Sequence, residues 1–353
     1  MIPHSRPWIA EADIERVVTQ LRSGMLAEGA ASSAVEHTLS AHFGLPHAVA
    51  TGSGTQALAL ALRSLALPPG AEVMLPTYVC PEVLGVVEHI GAVPVLIDID
   101  ARYCLDADLV ARRVSRRTGA ILLPYLFGLY RDPAPFAALG VPLIEDCAQY
   151  LPMPADACGL HGDLVVCSFE ATKLITGGEG GAVLTRDPKR AAQLRGFKAL
   201  AAGYKLNLYP LSDLQAALVS AQLVRVDELL GRRRLLAARY RTAFVDYASL
   251  AMPPENPRDL PFRFVFALRD APDDAIGQLI AAFAARGIAV RRPVDTLLHH
   301  FVPGGEFPGA ERAFHETLSL PLYPALADTE QQQVIDVACE LLDNLAVVRE
   351  HRV

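Results

Sequence analysis

Between residues 141 and 185 the chain sets three short apolar runs close together, each bounded by polar residues of a distinct kind. Residues 141–144 lead into a double acid, Glu145-Asp146. Residues 164–169 form a second run that includes Ser168 and stops just ahead of Lys173. Residues 182–185 form a third, opened by Gly177-Gly178-Glu179-Gly180-Gly181. Short buried strands of this kind present their carboxyl ends to a cleft, where open α/β sheets bind ligands. An acid, a small hydroxyl and one lysine are therefore expected to converge at a single cleft.

That trio suits pyridoxal phosphate, whose aldehyde takes up a lysine amine while a carboxylate keeps the pyridine nitrogen protonated. Asp146 is the candidate carboxylate, Lys173 the candidate amine and Ser168 a candidate phosphate contact. Each has an ordinary explanation when taken alone. A lysine after a strand is commonly a solvated surface residue, an aspartate there a helix N-cap, and a glycine run a flexible turn. Their place in one segment, in this order, favours the cofactor.

The segment closely resembles the DegT/DnrJ/StrS family of sugar aminotransferases. Members carry an (I/V)EDxA(Q/H) motif, then FSFxxTK, then a (T/G)GEGG loop. This chain has Ile144-Glu145-Asp146-Cys147-Ala148-Gln149, then Cys167-Ser168-Phe169-Glu170-Ala171-Thr172-Lys173, then the glycine run at 177–181. The resemblance implies an α/β, fold type I transferase. A large α/β/α domain with a mostly parallel sheet would span residues 1–235, and a smaller α+β domain residues 236–353. It implies that Lys173 forms the Schiff base, Asp146 pairs with the pyridine nitrogen, Gln149 lies beside the ring hydroxyl and Ser168 binds phosphate. Related dehydratases carry His where this chain keeps Lys173.

Other stretches extend the resemblance from Arg6 to about Leu342. An amphipathic helix with Ile14, Val17, Val18 and Leu21 on one face is predicted to end at Ser23-Gly24 and to dock through that face. Arg6-Pro7, Arg22-Ser23-Gly24 and Gly29 match the family's opening, which makes Gly29 a candidate for the substrate pocket. A helix over residues 34–43 and a strand over 47–50 lead to Thr51-Gly52-Ser53-Gly54-Thr55-Gln56-Ala57. The N-terminus of the helix that follows is an anion site by virtue of its free N–H groups. The same stretch fits G-x-G-x-x-A, but the next strand, residues 72–75, runs into Pro76-Thr77-Tyr78 rather than the acid a dinucleotide site requires. The family's SGTxAL motif fits better and puts the Gly54 and Thr55 amides and the Thr55 hydroxyl on the phosphate. In PTYVCP, residues 76–81, Cys80 stands where the family has a ring-stacking aromatic, so either Cys80 or Tyr78 is expected against the cofactor. Tyr125 reads equally as substrate-facing or as a core tyrosine. The NLYPLSDLQAA stretch makes Asn207 a candidate for reaching a partner subunit's cofactor phosphate, which implies a homodimer with shared active sites. A long helix is predicted from Ser212, strands over 262–268 and 288–291, and a helix over 274–286.

The 353 residues are 52% apolar and 20% charged, which suits a globular chain. A net charge of −7 without a long basic run argues against a nucleic-acid or anionic-membrane surface. None of the six cysteines forms a CxxC pair, so buried thiols are expected rather than disulfides or a metal site. The amino terminus lacks the apolar core of a signal peptide, and no uncharged apolar run of 18 residues occurs, since residues 83–99 are interrupted by Glu88-His89. The expectation is a cytoplasmic enzyme. Its donor would be an amino acid, glutamate foremost, and its acceptor a nucleotide-linked keto-sugar. A cyclitol ketone as acceptor, a sugar dehydratase and a non-catalytic regulator are the alternatives.

Overall fold

The computed structural model describes residues 1–152, 159–198, 209–272 and 274–350; Asn207 lies outside them. Seven strands form the larger sheet: β1 (His47–Thr51), β2 (Glu72–Pro76), β3 (Val93–Ile97), β4 (Thr118–Pro124), β5 (Leu143–Asp146), β6 (Leu164–Ser168) and β7 (Gly181–Thr185). Their spatial order is β1-β7-β6-β5-β4-β2-β3. Every neighbouring pair is parallel except that β7 runs against both β1 and β6. Successive residues alternate between the two faces: Val73, Leu122, Ile144 and Val166 enter one apolar core, while Met74, Leu123, Leu143 and Val165 enter cores on the other side. A sheet covered on both faces explains why these strands read as unbroken apolar runs.

Around this sheet lie α1 (Glu11–Ser23), α2 (Ala30–Phe43), α3 (Gly54–Ser64), α4 (Pro81–His89), α5 (Ala107–Arg113), α6 (Ala134–Ala137), α7 (Pro188–Lys198) and α8 (Asp213–Val224). Helix α3 packs on β6 and β7, and α2 packs on β1 and α8. Helix α9 (Val226–Phe244) leads to a second, antiparallel sheet of β8 (Leu250–Ala251), β9 (Phe264–Leu268) and β10 (Thr317–Leu320), in the order β10-β9-β8. Its apolar core is shared with α9, α10 (Ala275–Ala285) and α12 (Asp328–Glu350). Helix α11 (Pro308–Glu316) instead buries Ala310 and Ala313 in the core of the large sheet. The Asp98 carboxylate fixes the start of α11 by accepting the N–H groups of Gly309 at 2.7 Å and Ala310 at 2.8 Å. The architecture is the expected α/β fold.

Three local expectations are corrected. The long helix from Ser212 is two helices, because Arg225 leaves the helical conformation at φ −110°, ψ 23°. The start was legible: Ser212 Oγ accepts the Gln215 N–H at 3.2 Å and Gln215 Oε1 accepts the Ser212 N–H at 3.1 Å, a reciprocal cap. The strand expected over 288–291 is reduced to two isolated bridges, Ile288 with Ile2 and Arg291 with Ser319. Each end pairs with a different segment, so no ladder forms. The apolar face of α1 docks only in part: the helix packs on α8 with Val17 and Val18 partly covered, while Ile14 and Leu21 are 45% and 48% exposed. The helix is held by its buried Asp13, which accepts Gln222 Nε2–H at 2.7 Å.

Candidate active site

The period of two along β5 separates the double acid. Asp146 shares the face of Ile144, toward α3, and Glu145 points to the opposite face with Leu143. Glu145 is spent on structure: it accepts the Tyr125 hydroxyl, the Gly162 N–H and, at 2.7 Å, the His161 N–H. Asp146 ends its strand at the floor of a cleft of about 430 Å³, with one oxygen accepting the Ala148 N–H at 2.9 Å. Burial raises its carboxyl above the usual range, while the Ala148 N–H and the Lys173 ammonium pull it back. Among the described residues its other oxygen accepts no hydrogen bond, which suits a cationic N–H arriving from the cleft.

Ser168 ends β6 beside the first turn of α3. A Cβ placed on Gly54 would stand 2.7 Å from Ser168 Cβ, and one on Gly181 would stand 2.8 Å from the Gly54 nitrogen. Only glycine lets the helix start come so close to the two strand ends. Ser53 caps α3, its Oγ accepting the Gln56 N–H at 3.1 Å. The N–H groups of Gly54 and Thr55 precede the first helical acceptors, so they remain to bind an anion at the positive end of the helix.

Lys173 sits in the turn that reverses the chain between β6 and β7. The Phe169 N–H donates to Gly180 O and the Gly177 N–H to Phe169 O, both at 2.8 Å. Glu170 accepts the Thr172 N–H at 3.0 Å and its hydroxyl at 2.7 Å. The turn thus pinned, Lys173 lines the cleft with Asp146, Gln149, Ser168 and Thr55, its Nζ 5.5 Å from the centre of the Phe262 ring. Gln149 is aimed by its side-chain oxygen, which accepts the Phe127 N–H at 2.8 Å.

Four other expectations fare differently. Cys80 opens onto the cleft. Desolvation, followed by the nearby Asp146 and Glu82, pushes its thiol up to about 12. Tyr78 is turned away and fully buried, stacked on Tyr103 at 6.1 Å with Phe127 at its edge, because the chain after β2 points it into the core. Tyr125 is also a core residue: its ring stacks on Tyr150 at 4.8 Å and its hydroxyl is taken by Glu145. Gly29 lies at the start of α2, outside the cleft lining, its N–H donating to Asp213 Oδ1 at 2.8 Å; a Cβ there would meet Asp213 Oδ2 at 3.0 Å.

The structure also brings in residues that sequence reasoning did not assign. Arg263, Pro293, Val294 and Asp295 close the cleft from the side of the smaller sheet. Arg263 donates from Nη1 to Pro293 O at 3.0 Å and lies 5.6 Å from the centre of the Phe262 ring. Burial, then the neighbouring Arg291, draws its guanidinium down to about 10, so it is charged at neutral pH. Its only sequence signal is a basic residue at the head of an apolar run.

This donor set fits pyridoxal phosphate. A primary amine and a half-paired carboxylate face one cleft, and a glycine-walled helix start with a hydroxyl at hand suits a phosphate. Bound there, the cofactor would supply an electron sink for charge developing on a substrate carbon.

Comparison with known proteins agrees with the geometry. The chain is 30% identical to dTDP-3-amino-3,4,6-trideoxy-alpha-D-glucose transaminase of Micromonospora megalomicea subsp. nigra, over 95% of this chain and 96% of that one. It superposes on the aminotransferase TlmJ of Streptoalloteichus hindustanus with a TM-score of 0.88 at 28% identity, covering 98% and 100% of the two chains. A Streptococcus pneumoniae chain described as a sugar aminotransferase, solved in its PLP form, gives a TM-score of 0.88 at 25% identity over 97% and 99%. With its residues 7–338 matching the family's sequence pattern, the chain belongs to the DegT/DnrJ/EryC1/StrS aminotransferase family and is a pyridoxal phosphate-dependent aminotransferase.

Proposed function

We propose that this enzyme moves the amino group of an amino acid, with glutamate as donor, to a keto-sugar carried on a nucleotide. The observation that carries the reading is Lys173 and Asp146 facing one cleft at the mouth of the sheet. The acceptor class is supported by the relative from Micromonospora, which by its name forms a dTDP-linked amino sugar. In this reading Lys173 holds the cofactor aldehyde and moves the proton between the two carbons involved. Asp146 keeps the ring nitrogen protonated, Gln149 lies beside the ring hydroxyl, and Cys80 packs on the ring in place of an aromatic. Gly54, Thr55 and Ser168 hold the phosphate. Arg263 takes a carboxylate of the amino donor, for which a planar guanidinium gives paired hydrogen bonds.

Glutamate is expected to convert the bound cofactor to its amine form, read by absorbance. A nucleotide-linked 3- or 4-keto-sugar should then reverse the change quickly, and simple 2-oxo acids other than 2-oxoglutarate only poorly. Equal rates with a free inosose would establish the cyclitol reading instead, and no response to any ketone would overturn the assignment. Arg263→Ala should raise the glutamate KM roughly tenfold to a hundredfold, the range for a lost charged hydrogen bond, with little change in the acceptor half-reaction. An unchanged glutamate KM removes Arg263 from the site.

The reading includes a cytoplasmic homodimer. No helix among the described residues is long and apolar enough to cross a membrane. A dimer is supported by an exposed apolar row that runs along α1 and past its end: Ile14, Leu21, Met25 and Leu26 are 45%, 48%, 67% and 42% exposed. Leu21→Asp with Met25→Asp should give a monomer by light scattering. A parent chain that is itself monomeric would refute the pairing.

A further inference from the structure

Where the segment after Asp295 meets α11, three imidazoles converge on one carboxylate. His299 Nε2 lies 2.8 Å from Glu311 Oε1, His300 Nε2 lies 3.9 Å from the same oxygen, and His315 Nε2 lies 3.5 Å from Glu311 Oε2. The ligand atoms of His299, His300 and Glu311 all fall within 4.8 Å of one another. None of the four residues lines the active-site cleft. We propose that this cluster is a binding site for a divalent first-row cation that favours imidazole, with zinc as the representative ion.

The donor chemistry and spacing carry the proposal. Zinc takes nitrogen and carboxylate ligands at about 2.0–2.2 Å, which sets neighbouring ligands of a tetrahedron roughly 3.3–3.5 Å apart. The two measured separations to Glu311 Oε1 bracket that spacing, so small side-chain rotations would centre an ion between the two imidazoles and the carboxylate. The least exposed ligand is already oriented. His299 Nδ1 is 2.8 Å from Thr77 Oγ1, which also accepts the His299 backbone N–H at 3.1 Å. With an ion on Nε2, Nδ1–H would donate to that hydroxyl, the outer hydrogen bond that metal-binding histidines use. The ring is further held by stacking on Phe307 at 4.7 Å.

The other groups follow from their elements. Glu311 and His315 are four residues apart and share one face of α11, which puts His315 on the carboxylate oxygen left over from the ion. His300 is about half exposed and gives the ion a way in, with a fourth coordination position left to water. An ion here would tie the segment that carries Asp295 to α11 and, through Thr77, to the strand end leading to Cys80. Those are two walls of the cleft.

The test uses the full-length, tag-free enzyme loaded with its cofactor, because a polyhistidine tag would itself take zinc. After chelator treatment the protein is equilibrated with zinc chloride, bound metal is measured by mass spectrometry, and melting is followed with and without zinc. The parent should bind one zinc per chain and melt at a higher temperature with it. His300→Ala and Glu311→Gln should each weaken binding by at least about tenfold, the low end for losing a group around a metal. Both should melt as the parent does when zinc is absent, since both sites are partly exposed. Uptake of less than one zinc per chain at saturation, or uptake unchanged in both variants, overturns the site. Loss of uptake in Cys80→Ala but not in His300→Ala would place the ion at the cleft thiol and would equally overturn it.

Discussion

Lys173→Ala is expected to abolish amino transfer, lowering the rate by roughly four orders of magnitude or more, because one side chain supplies both the nucleophilic amine and the proton relay, and proton transfer alone contributes about 10²–10⁴. The fold should persist. In the structure the ammonium makes a cation–π contact with Phe262 at 5.5 Å, a contact worth only about 0.5–1 kcal/mol where solvent reaches it. Borohydride treatment of the parent holoenzyme should leave a phosphopyridoxyl label on the peptide that contains Lys173. The other lysines nearby in sequence are poorly suited. Lys198 is paired with Glu28 and donates to Ala50 O at 2.6 Å, while Lys189 is exposed on α7. A label recovered on Lys189, Lys198 or Lys205 would remove Lys173 from its role.

Asp146→Asn should lower turnover by about 10²–10³, equivalent to roughly 3–4 kcal/mol, the magnitude for losing one pre-placed electrostatic partner of developing charge. An amide keeps the oxygen that accepts the Ala148 N–H but cannot hold a proton on a ring nitrogen. The cofactor-free protein offers an independent readout. Burial raises the Asp146 carboxyl, so the folded chain is penalised for carrying its charge once the pH passes through that raised value. The sign follows: stability linked to this group is present at acid pH and lost as pH rises, and the asparagine variant should lack that loss. Cofactor-free Asp146→Asn should therefore be at least as stable as the parent at neutral pH. Glu145→Gln is the matched control, since Glu145 faces the opposite side of the sheet and should affect melting rather than turnover. Turnover of Asp146→Asn within tenfold of the parent would show that another group holds the nitrogen.

Both effects were legible because Asp146 sits at the end of one short buried strand and Lys173 in the turn that follows another. A strand's end follows from a local apolar run, and parallel neighbours deliver such ends to one edge of the sheet whatever the rest of the chain does. Asp146, Ser168 and Lys173 needed only that. The Gly54-Thr55 start of α3 needed only a strand, a cap at Ser53 and residues too small to block the approach.

What lay beyond the sequence depends on which surfaces meet at long range. Tyr78 and Tyr125 follow strand ends as the site residues do, yet their rings turn into the core, since aromatic partners distant in sequence, Tyr103 and Phe127 for one and Tyr150 for the other, are packed there. The pleat of β5 puts Glu145 and Asp146 on opposite faces, but which face opens on the cleft is decided by α3 on one side and by Tyr125, His161 and Gly162 collecting on the other. Arg263 and Asp295 reach the cleft only through the docking of the smaller sheet, and His299 meets Glu311 only because α11 buries Ala310 and Ala313 against the larger one. The sequence alone determined the strands, the helix starts and the chemistry at their ends, because hydrophobic period and capping act over a few residues. Tertiary structure decided which side chains share a cavity, because that depends on the burial of apolar faces hundreds of residues apart.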